Sequence, residues 1–328
     1  MLRIDHFTKA YGDKVAVDDL TLHIRPGEIY GFIGHNGAGK TTTLRACCGI
    51  LPFDRGDITV GGVSIRRDPV ACKQRMAYIP DNPDLYDFLT GIQYLTFIAD
   101  VFAVPRELRQ QRIDRYADLF QLREDLAQPI SAYSHGMKQK LALISTFLHD
   151  PKLILMDEPF VGLDPKASHT LKQLMRQHCE NGGAIFFSTH VLEVAEKLCD
   201  QVAIIRQGRL VVSGPMDRVR GTESLEDVFL ELEDRHVYGA AAGAAGRPAS
   251  PAVRRQPDPP VLSGPFPAAD SGDRDRLRCH VLWTVPGPGF PLRRRPLALF
   301  FRIRRLLPGA VYRGHYVRGP RRYLRRPG

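Results

Sequence analysis

Hydrophobic and polar residues alternate in three segments of the N-terminal part of the chain. The alternation covers residues 2–7 and 21–24, on either side of a turn at Tyr11-Gly12, and returns at residues 57–60. A side-chain period of two places one face of a strand in the core and the other in solvent. These segments are therefore predicted to be half-buried strands.

Continuous hydrophobic runs follow, at residues 76–79, 153–156 and 184–187. Such runs are typical of strands that are covered on both faces in a parallel sheet. A last pair of strands, residues 201–205 and 209–212, is predicted to form a hairpin. Buried strands that alternate with helical segments indicate the α/β class.

The spacing changes to that of helices between residues 83 and 148. Apolar residues recur every three or four positions from Leu89 to Gln128, with a break at Pro105, which predicts roughly three helices. Another helix is predicted from Gly136 to His149. Because an amphipathic helix over residues 224–232 closes the pattern, we expect one domain over residues 1–235 with a helical insertion at about 83–148.

Composition narrows the class of protein. The six cysteines form no CxxC pair, which argues against a zinc site or a disulfide framework and suits a reducing compartment. No apolar run approaches the roughly 18–20 residues that span a bilayer, and the N-terminus lacks the apolar centre of a signal peptide. We therefore expect a protein that is soluble or reaches a membrane through a partner.

Residues 236–328 differ from the rest of the chain. They hold 18 Arg and 4 Asp but neither Lys nor Glu, a net charge of +14, which leaves −4 for residues 1–235. Their density of Pro and Gly prevents a packed core. Three interpretations stay open: a disordered basic arm for anionic lipid or nucleic acid, a linker, or out-of-frame translation of a GC-rich gene, which the lack of Lys and Glu favours. We assign no function to this tail.

The segment GHNGAGKTT has the composition and context of a phosphate-binding loop, since it follows an apolar strand and precedes a helical segment. Its glycines let backbone N–H groups surround phosphate oxygens at a helix N-terminus. Lys40 supplies a positive charge for the β- and γ-phosphates, and the Thr41 hydroxyl is placed to bind Mg²⁺. The predicted nucleotide-binding residues of the loop are Gly34, His35, Asn36, Gly37, Ala38, Gly39, Lys40, Thr41 and Thr42.

Asp157-Glu158, at the end of a buried strand, is the second signal of nucleotide chemistry. A strand ending in two acids is common by itself, but here it lies roughly 120 residues after the phosphate loop. Asp157 is predicted to join the Mg²⁺ site with Thr41, and Glu158 to act as general base towards the attacking water.

Four further motifs follow in one order: YSHGMKQK at residues 133–140, LILMDEP at 153–159, GLDP at 162–165 and STH at 188–190. Together with GHNGAGKTT they resemble the ATP-binding subunits of ABC transporters, most closely those of bacterial ABC-2-type exporters. The resemblance covers residues 1–235. It implies a P-loop NTPase core of the ABC ATPase type, with an antiparallel β subdomain and a helical insertion.

The resemblance also implies roles for single residues. Tyr11 would stack on adenine, although a tyrosine in a turn is also compatible with a core edge. Ser134 and Gly136 would contact the γ-phosphate held by the opposite protomer, although Ser134 is also an ordinary N-cap. Asp164 would link the two sites of a dimer, and His190 would hydrogen-bond the γ-phosphate.

Two positions depart from the family pattern. His135 stands in the segment YSHGMKQK at residues 133–140, the family's signature segment, at a position where glycine is commoner, and it adds bulk there. Asp81 stands where the family usually has Gln. A carboxylate can bind Mg²⁺ or accept from the water, but it cannot donate a hydrogen bond and it adds negative charge beside a polyphosphate.

The expected function is that of an ATPase that uses ATP and Mg²⁺, dimerises around two nucleotides and drives a separate membrane permease, as an exporter. The partners would be a permease subunit and a second copy or a paired ATPase subunit, with no nucleic acid. The place expected for it is the inner face of the cell membrane, reached through the permease. Two alternatives are a soluble ABC ATPase acting on nucleic acid or ribosomes, and a nucleotide-binding regulator that does not hydrolyse.

Overall fold

The computed structural model describes residues 1–239, which form two β-sheets and nine α-helices. The strands are β1 (Leu2–Tyr11), β2 (Lys14–Ile24), β3 (Ile29–Ile33), β4 (Arg55–Val60), β5 (Val63–Ser64), β6 (Met76–Ile79), β7 (Leu153–Asp157), β8 (Ala184–Thr189), β9 (Gln201–Arg206) and β10 (Arg209–Pro215). The helices are α1 (Lys40–Cys47), α2 (Pro69–Lys73), α3 (Gly91–Val101), α4 (Arg106–Leu119), α5 (His135–Leu148), α6 (Pro165–Glu180), α7 (Leu192–Leu198), α8 (Met216–Arg220) and α9 (Leu225–Gly239).

A six-stranded sheet in the order β10-β9-β3-β8-β7-β6 forms the centre of the fold. Its neighbours pair in parallel except for the antiparallel edge strand β10. Every residue of β3, β7 and β8 is buried, which explains why these strands are continuous hydrophobic runs in the sequence. The parallel register brings the carboxyl ends of the three strands to one edge, where Asp157 lies opposite Ser188.

A second, antiparallel sheet in the order β2-β1-β4-β5 is built from the alternating segments. In β1, Leu2 and Ile4 are fully buried while Arg3 between them is exposed, as the period of two predicts. The fold class is confirmed, including the antiparallel β subdomain.

The helical insertion begins with α3, whose first turn is held by a capping box between Thr90 and Gln93. Pro105 caps α4, so the predicted break lies between these two helices. The third helix expected before Gln128 is only a 3₁₀ turn, Glu124–Ala127, because the chain leaves the helical conformation at Gln121, with φ of +53°. A second 3₁₀ turn, Ile130–Ala132, then leads into α5.

The six-stranded sheet separates two hydrophobic cores. Ile154 and Met156 of β7 join the core under the helical insertion, whereas Leu153 and Leu155 join the core between the two sheets. Strand ends that are packed on both faces give side chains at the sheet edge a fixed position. Among residues 1–239, none of the helices combines the length and the hydrophobicity needed to cross a bilayer.

The backbone of α9 continues past the predicted domain boundary at residue 235 to Gly239. The interpretation of residues 236–328 as a tail lies, from residue 240 onward, outside the described residues. It stays a prediction.

Candidate active site

The phosphate loop connects β3 to α1, as the sequence predicted. Gly34 is buried at the end of the strand, and His35, Asn36 and Gly37 are exposed at the apex of the loop. The chain then turns inward, so that Ala38, Gly39 and Lys40 are buried and Thr41 and Thr42 are half-buried. The exposed apex followed by a buried helix start is the arrangement a polyphosphate needs.

Gly39 is required at the start of α1 for two reasons. Its φ of +111° is one that side-chain-bearing residues rarely adopt, and a Cβ there would lie 2.7 Å from the Ala16 carbonyl of β2. The close approach fixes the C-terminal end of the loop against the β1–β2 hairpin, which also carries Tyr11. Tyr11 is 50% exposed, and Lys9 Nζ lies 5.2 Å from the centroid of its ring.

Lys40 is almost fully buried, and its charge is held by carbonyl groups of the loop itself. Its Nζ donates to the Gly34 carbonyl at 2.6 Å and to the His35 carbonyl at 3.3 Å. Burial lowers the pKa of Lys40, and the carboxylates of Glu158 and Asp157 act against that shift. The loop therefore surrounds the Lys40 ammonium group and holds it where phosphate oxygens would bind.

Asp157 is the buried last residue of β7, and only one of its two carboxylate oxygens has a hydrogen-bond partner among the described residues. One carboxylate oxygen accepts from the Ser188 hydroxyl on β8, and Oδ2 has no hydrogen-bond partner among the described residues. Burial raises the pKa of Asp157, the hydrogen bond from Ser188 opposes the rise, and the charges of Asp81 and Glu158 add to it. A buried carboxylate with an unused oxygen is the type of ligand that a hard cation such as Mg²⁺ prefers, although among residues 1–239 no three His, Cys, Asp or Glu side chains are grouped to hold a metal.

Glu158 lies between Lys40 and His190. Its Oε1 is 3.7 Å from Lys40 Nζ and its Oε2 is 2.9 Å from His190 Nδ1. The backbone of Glu158 has φ of +48°, and its N–H donates to both the carbonyl and the hydroxyl of Ser188 at 3.2 Å. The strained conformation is held from β8 and aims an acceptor at the space beside the phosphate loop.

Asp81 follows β6 and is exposed. It lies close enough to the strand ends for its charge to raise the pKa of Asp157. The predicted metal residues Thr41, Asp157 and Asp81 are thus brought to one edge of the sheet. The roles of these residues stay predictions.

The residues of the signature segment lie on another part of the surface and contact the loop 162–164. Ser134 caps α5 and accepts from Met137 N at 3.3 Å. A Cβ on Gly136 would lie 2.7 Å from the Gly162 carbonyl, so only glycine fits between helix and loop. Asp164 caps α6, and its Oδ2 lies 2.6 Å from Lys140 Nζ, which lowers the pKa of Asp164.

Three functional contacts were missed in the sequence. Ser188 orients Asp157 and the backbone of Glu158, and the polar ending Ser188-Thr189-His190 of an apolar strand is the signal that could have found it. Lys140 ties the signature helix to Asp164. The ring of His135 packs on Gly162, so the departure from the family pattern is accommodated by the glycine of the next motif.

Comparisons with known proteins identify a family and several similar chains. The model of the family described as ABC transporter covers residues 17–161. The chain is 35% identical over 212 residues to the uncharacterized ABC transporter ATP-binding protein YhcH of Bacillus subtilis (strain 168), which is 64% of this chain and 68% of that protein. It is 33% identical over 228 residues to the Nod factor export ATP-binding protein I of Paraburkholderia xenovorans (strain LB400), covering 70% and 75% of the two chains. A solved structure described as an ATP binding subunit of an ABC transporter is similar with a TM-score of 0.69 and 33% identity, over 71% of this chain and 99% of that one.

Proposed function

The chain belongs to the ATP-binding subunits of ABC transporters, which are ATPases, and we propose that it hydrolyses Mg·ATP between two protomers to drive a separate membrane permease. The observation that carries the proposal is the placement of Glu158 between Lys40 and His190, at 3.7 and 2.9 Å. A cation for the phosphates, an acceptor for the water proton and a histidine lie together at one edge of the sheet.

Catalysis of phosphoryl transfer depends mainly on positioning and charge. Lys40 neutralises developing charge on the β- and γ-phosphates. Glu158 accepts the proton of the water that attacks the γ-phosphorus, and the ADP oxygen leaves with the electron pair of the broken P–O bond. Because His190 contacts Glu158 through Nδ1, Nε2 is the nitrogen that would donate to the γ-phosphate.

Mg²⁺ would be held by Thr41, Asp157 and Asp81, for which the unused oxygen of Asp157 is the support. When bound, the ion supplies charge neutralisation across the β- and γ-phosphates. The chain's own contribution is to hold these oxygens in place, through Ser188 on Asp157.

The proposed dimer explains why Ser134 and His135 of the signature segment are exposed. The N-terminus of α5 presents backbone N–H groups and the Ser134 hydroxyl to solvent, and such a terminus attracts anions. In a two-fold dimer each α5 would meet the phosphates bound by the other protomer. Each nucleotide would then be enclosed by Lys40 of one copy and by Ser134 and Gly136 of the other, with Asp164 between the two sites and Tyr11 on the adenine.

The permease would dock on the helical insertion beside the Asp81 loop. Phe88 is 73% and Tyr86 45% exposed there, and their rings lie 5.8 Å apart. Exposed aromatic clusters of this kind mark interaction sites. Export is supported by the name of the Nod factor relative, and a position on the inner face of the membrane follows from the permease. We infer that residues 1–235 carry these functions and residues 236–328 none of them.

The dimer is tested with Glu158→Gln, which should bind ATP without turning it over. Light scattering during gel filtration should give a dimer with Mg·ATP and a monomer without nucleotide. Adding Ser134→Arg places a bulky cation at the helix terminus that would meet the partner, so this double variant should bind ATP and stay monomeric. A monomer for Glu158→Gln at saturating Mg·ATP, or a dimer that survives Ser134→Arg, would contradict the proposal.

A further inference from the structure

Helix α9, the last helix of the described residues, reaches the apex of the phosphate loop. The ring of Phe229, which is 9% exposed, lies against the imidazole of His35 with centroids 5.1 Å apart and planes at 65°. Edge-to-face contacts at this distance are a favoured arrangement of aromatic rings. A residue 194 positions away in the sequence therefore touches the loop that would hold the phosphates.

Phe229 is held on a helix that is fixed on both sides of it. Leu225 is fully buried and its N–H donates to Glu196 Oε2 at 2.9 Å. One helical turn beyond Phe229, the Leu232 carbonyl accepts from Arg206 Nη1 at 3.1 Å. Leu225, Phe229 and Leu232 follow the i, i+4, i+7 spacing of one helix face, so the ring of Phe229 is presented by a docked element.

His35 forms part of the phosphate cradle through its main chain. Its carbonyl accepts from Lys40 Nζ at 3.3 Å and from Ala38 N at 3.1 Å. The end of the loop at Gly39 is fixed by the close approach of β2. Residues 35–37 are the exposed part, and Phe229 contacts the first of them.

We propose that α9 positions the phosphate loop: Phe229 holds His35, and α9 thereby sets the affinity for ATP. The inference rests on the proposed nucleotide site but not on the proposed dimer or permease. Because Phe229 joins α9 to His35, a displacement of α9 would move the phosphate loop. Phe229 is a positioning residue, since it acts through His35.

Loss of the Phe229 ring should weaken ATP binding and leave the rate of the chemical step unchanged. Removing an edge-to-face pair costs about two- to tenfold in affinity when the contact preorganises a binding loop. Glu158 and His190 are held from β7 and β8 and keep their contact. Phe229→Ala should therefore raise KM for ATP by about two- to tenfold with kcat nearly unchanged.

The test measures the Kd of Mg·AMP-PNP by calorimetry, with KM and kcat for ATP, on the full chain. Phe229→Ala should raise Kd and KM, while Phe229→Tyr, which keeps the ring, should restore both. Leu230→Ala is the matched control, because Leu230 is the next residue on α9 and is 51% exposed. His35→Ala should raise Kd by the same mechanism, and the double variant should be no worse than His35→Ala alone.

Additive effects of His35→Ala and Phe229→Ala, or an unchanged Kd in Phe229→Ala, would overturn the inference. Where Phe229→Ala fails to fold, Phe229→Leu keeps much of the volume without the ring edge, and a Kd equal to that of the unaltered chain would also overturn it. Binding of AMP-PNP needs no turnover. A chain that binds this analogue but hydrolyses nothing would therefore refute the proposed hydrolysis and still test the role of Phe229.

Discussion

Replacing Glu158 with Gln removes one negative charge at the centre of the site and keeps the shape of the side chain. In the structure this carboxylate lies 2.9 Å from His190 Nδ1 and 3.7 Å from Lys40 Nζ, and its Oε1 has no hydrogen-bond partner among the described residues. An amide can still accept a hydrogen bond there, but it cannot take a proton from water. The substitution therefore separates binding from chemistry.

Loss of a general base costs about 10²–10⁴ in rate, or about 3–5 kcal/mol in the barrier. Binding should change in the opposite direction. In the proposed site Glu158 would face the γ-phosphate, and removing repulsion between two partly screened charges is worth about 1 kcal/mol, so ATP should bind about fivefold more tightly. The gain is reduced because the charge of Glu158 raises the pKa of Lys40. Without that charge, the protonated form of Lys40, which binds phosphate, is less stable.

The assay is phosphate release at saturating Mg·ATP, with calorimetry for the Kd of ATP. Glu193→Gln is the matched control, since it removes an exposed carboxylate of α7 that pairs with Lys197 and should leave both values unchanged. A kcat within tenfold of the unaltered chain would refute the assignment of Glu158 as the base.

Asp81→Gln should tighten ATP binding and change kcat by about tenfold or less, because Asp81 adds charge near Asp157 but is exposed and screened; loss of all hydrolysis would make Asp81 essential. Phe88→Glu should reduce co-purification with the permease and leave the ATPase rate of the isolated subunit unchanged; equal recovery of the permease would contradict the docking surface. Burial lowers the pKa of His149, which stacks on Phe102, to about 4. Because the unfolded histidine titrates near 6.5, the folded state should lose up to about 3 kcal/mol as pH falls from about 6.5 to 4. In chemical denaturation, the free energy of unfolding of His149→Gln should depend less on pH than that of the unaltered chain. The same pH dependence in both proteins would contradict this prediction.

The parts of the site that could be predicted are those that lie within one local motif. The phosphate loop needs only a strand, a glycine-rich turn and a helix in succession, and the sequence shows all three. Asp157 and Glu158 were found because a continuous hydrophobic run ends on them. The third helix expected before Gln128 was wrong in length, since apolar spacing does not distinguish a short 3₁₀ turn from an α-helix.

The contacts that could not be predicted join residues far apart in the chain. Ser188 reaches Asp157 because β7 and β8 are parallel neighbours in one register, which no local pattern specifies. Lys140 meets Asp164 through the packing of α5 beside the loop before α6. Phe229 meets His35 through the docking of α9, and such contacts follow from tertiary packing alone.

The measurement that tests the central claim most directly is the Mg-dependent ATPase rate of the full chain beside Lys40→Ala. Lys40 is the cation that the loop holds through the carbonyls of Gly34 and His35, so its loss should abolish hydrolysis and weaken nucleotide binding. Lys197→Ala is the control, since Lys197 is an exposed lysine of α7 that pairs with Glu193, and its loss should leave the rate unchanged. We expect turnover by the unaltered chain and by Lys197→Ala, and none above background for a folded Lys40→Ala; near-normal turnover by Lys40→Ala would contradict the assignment of the site.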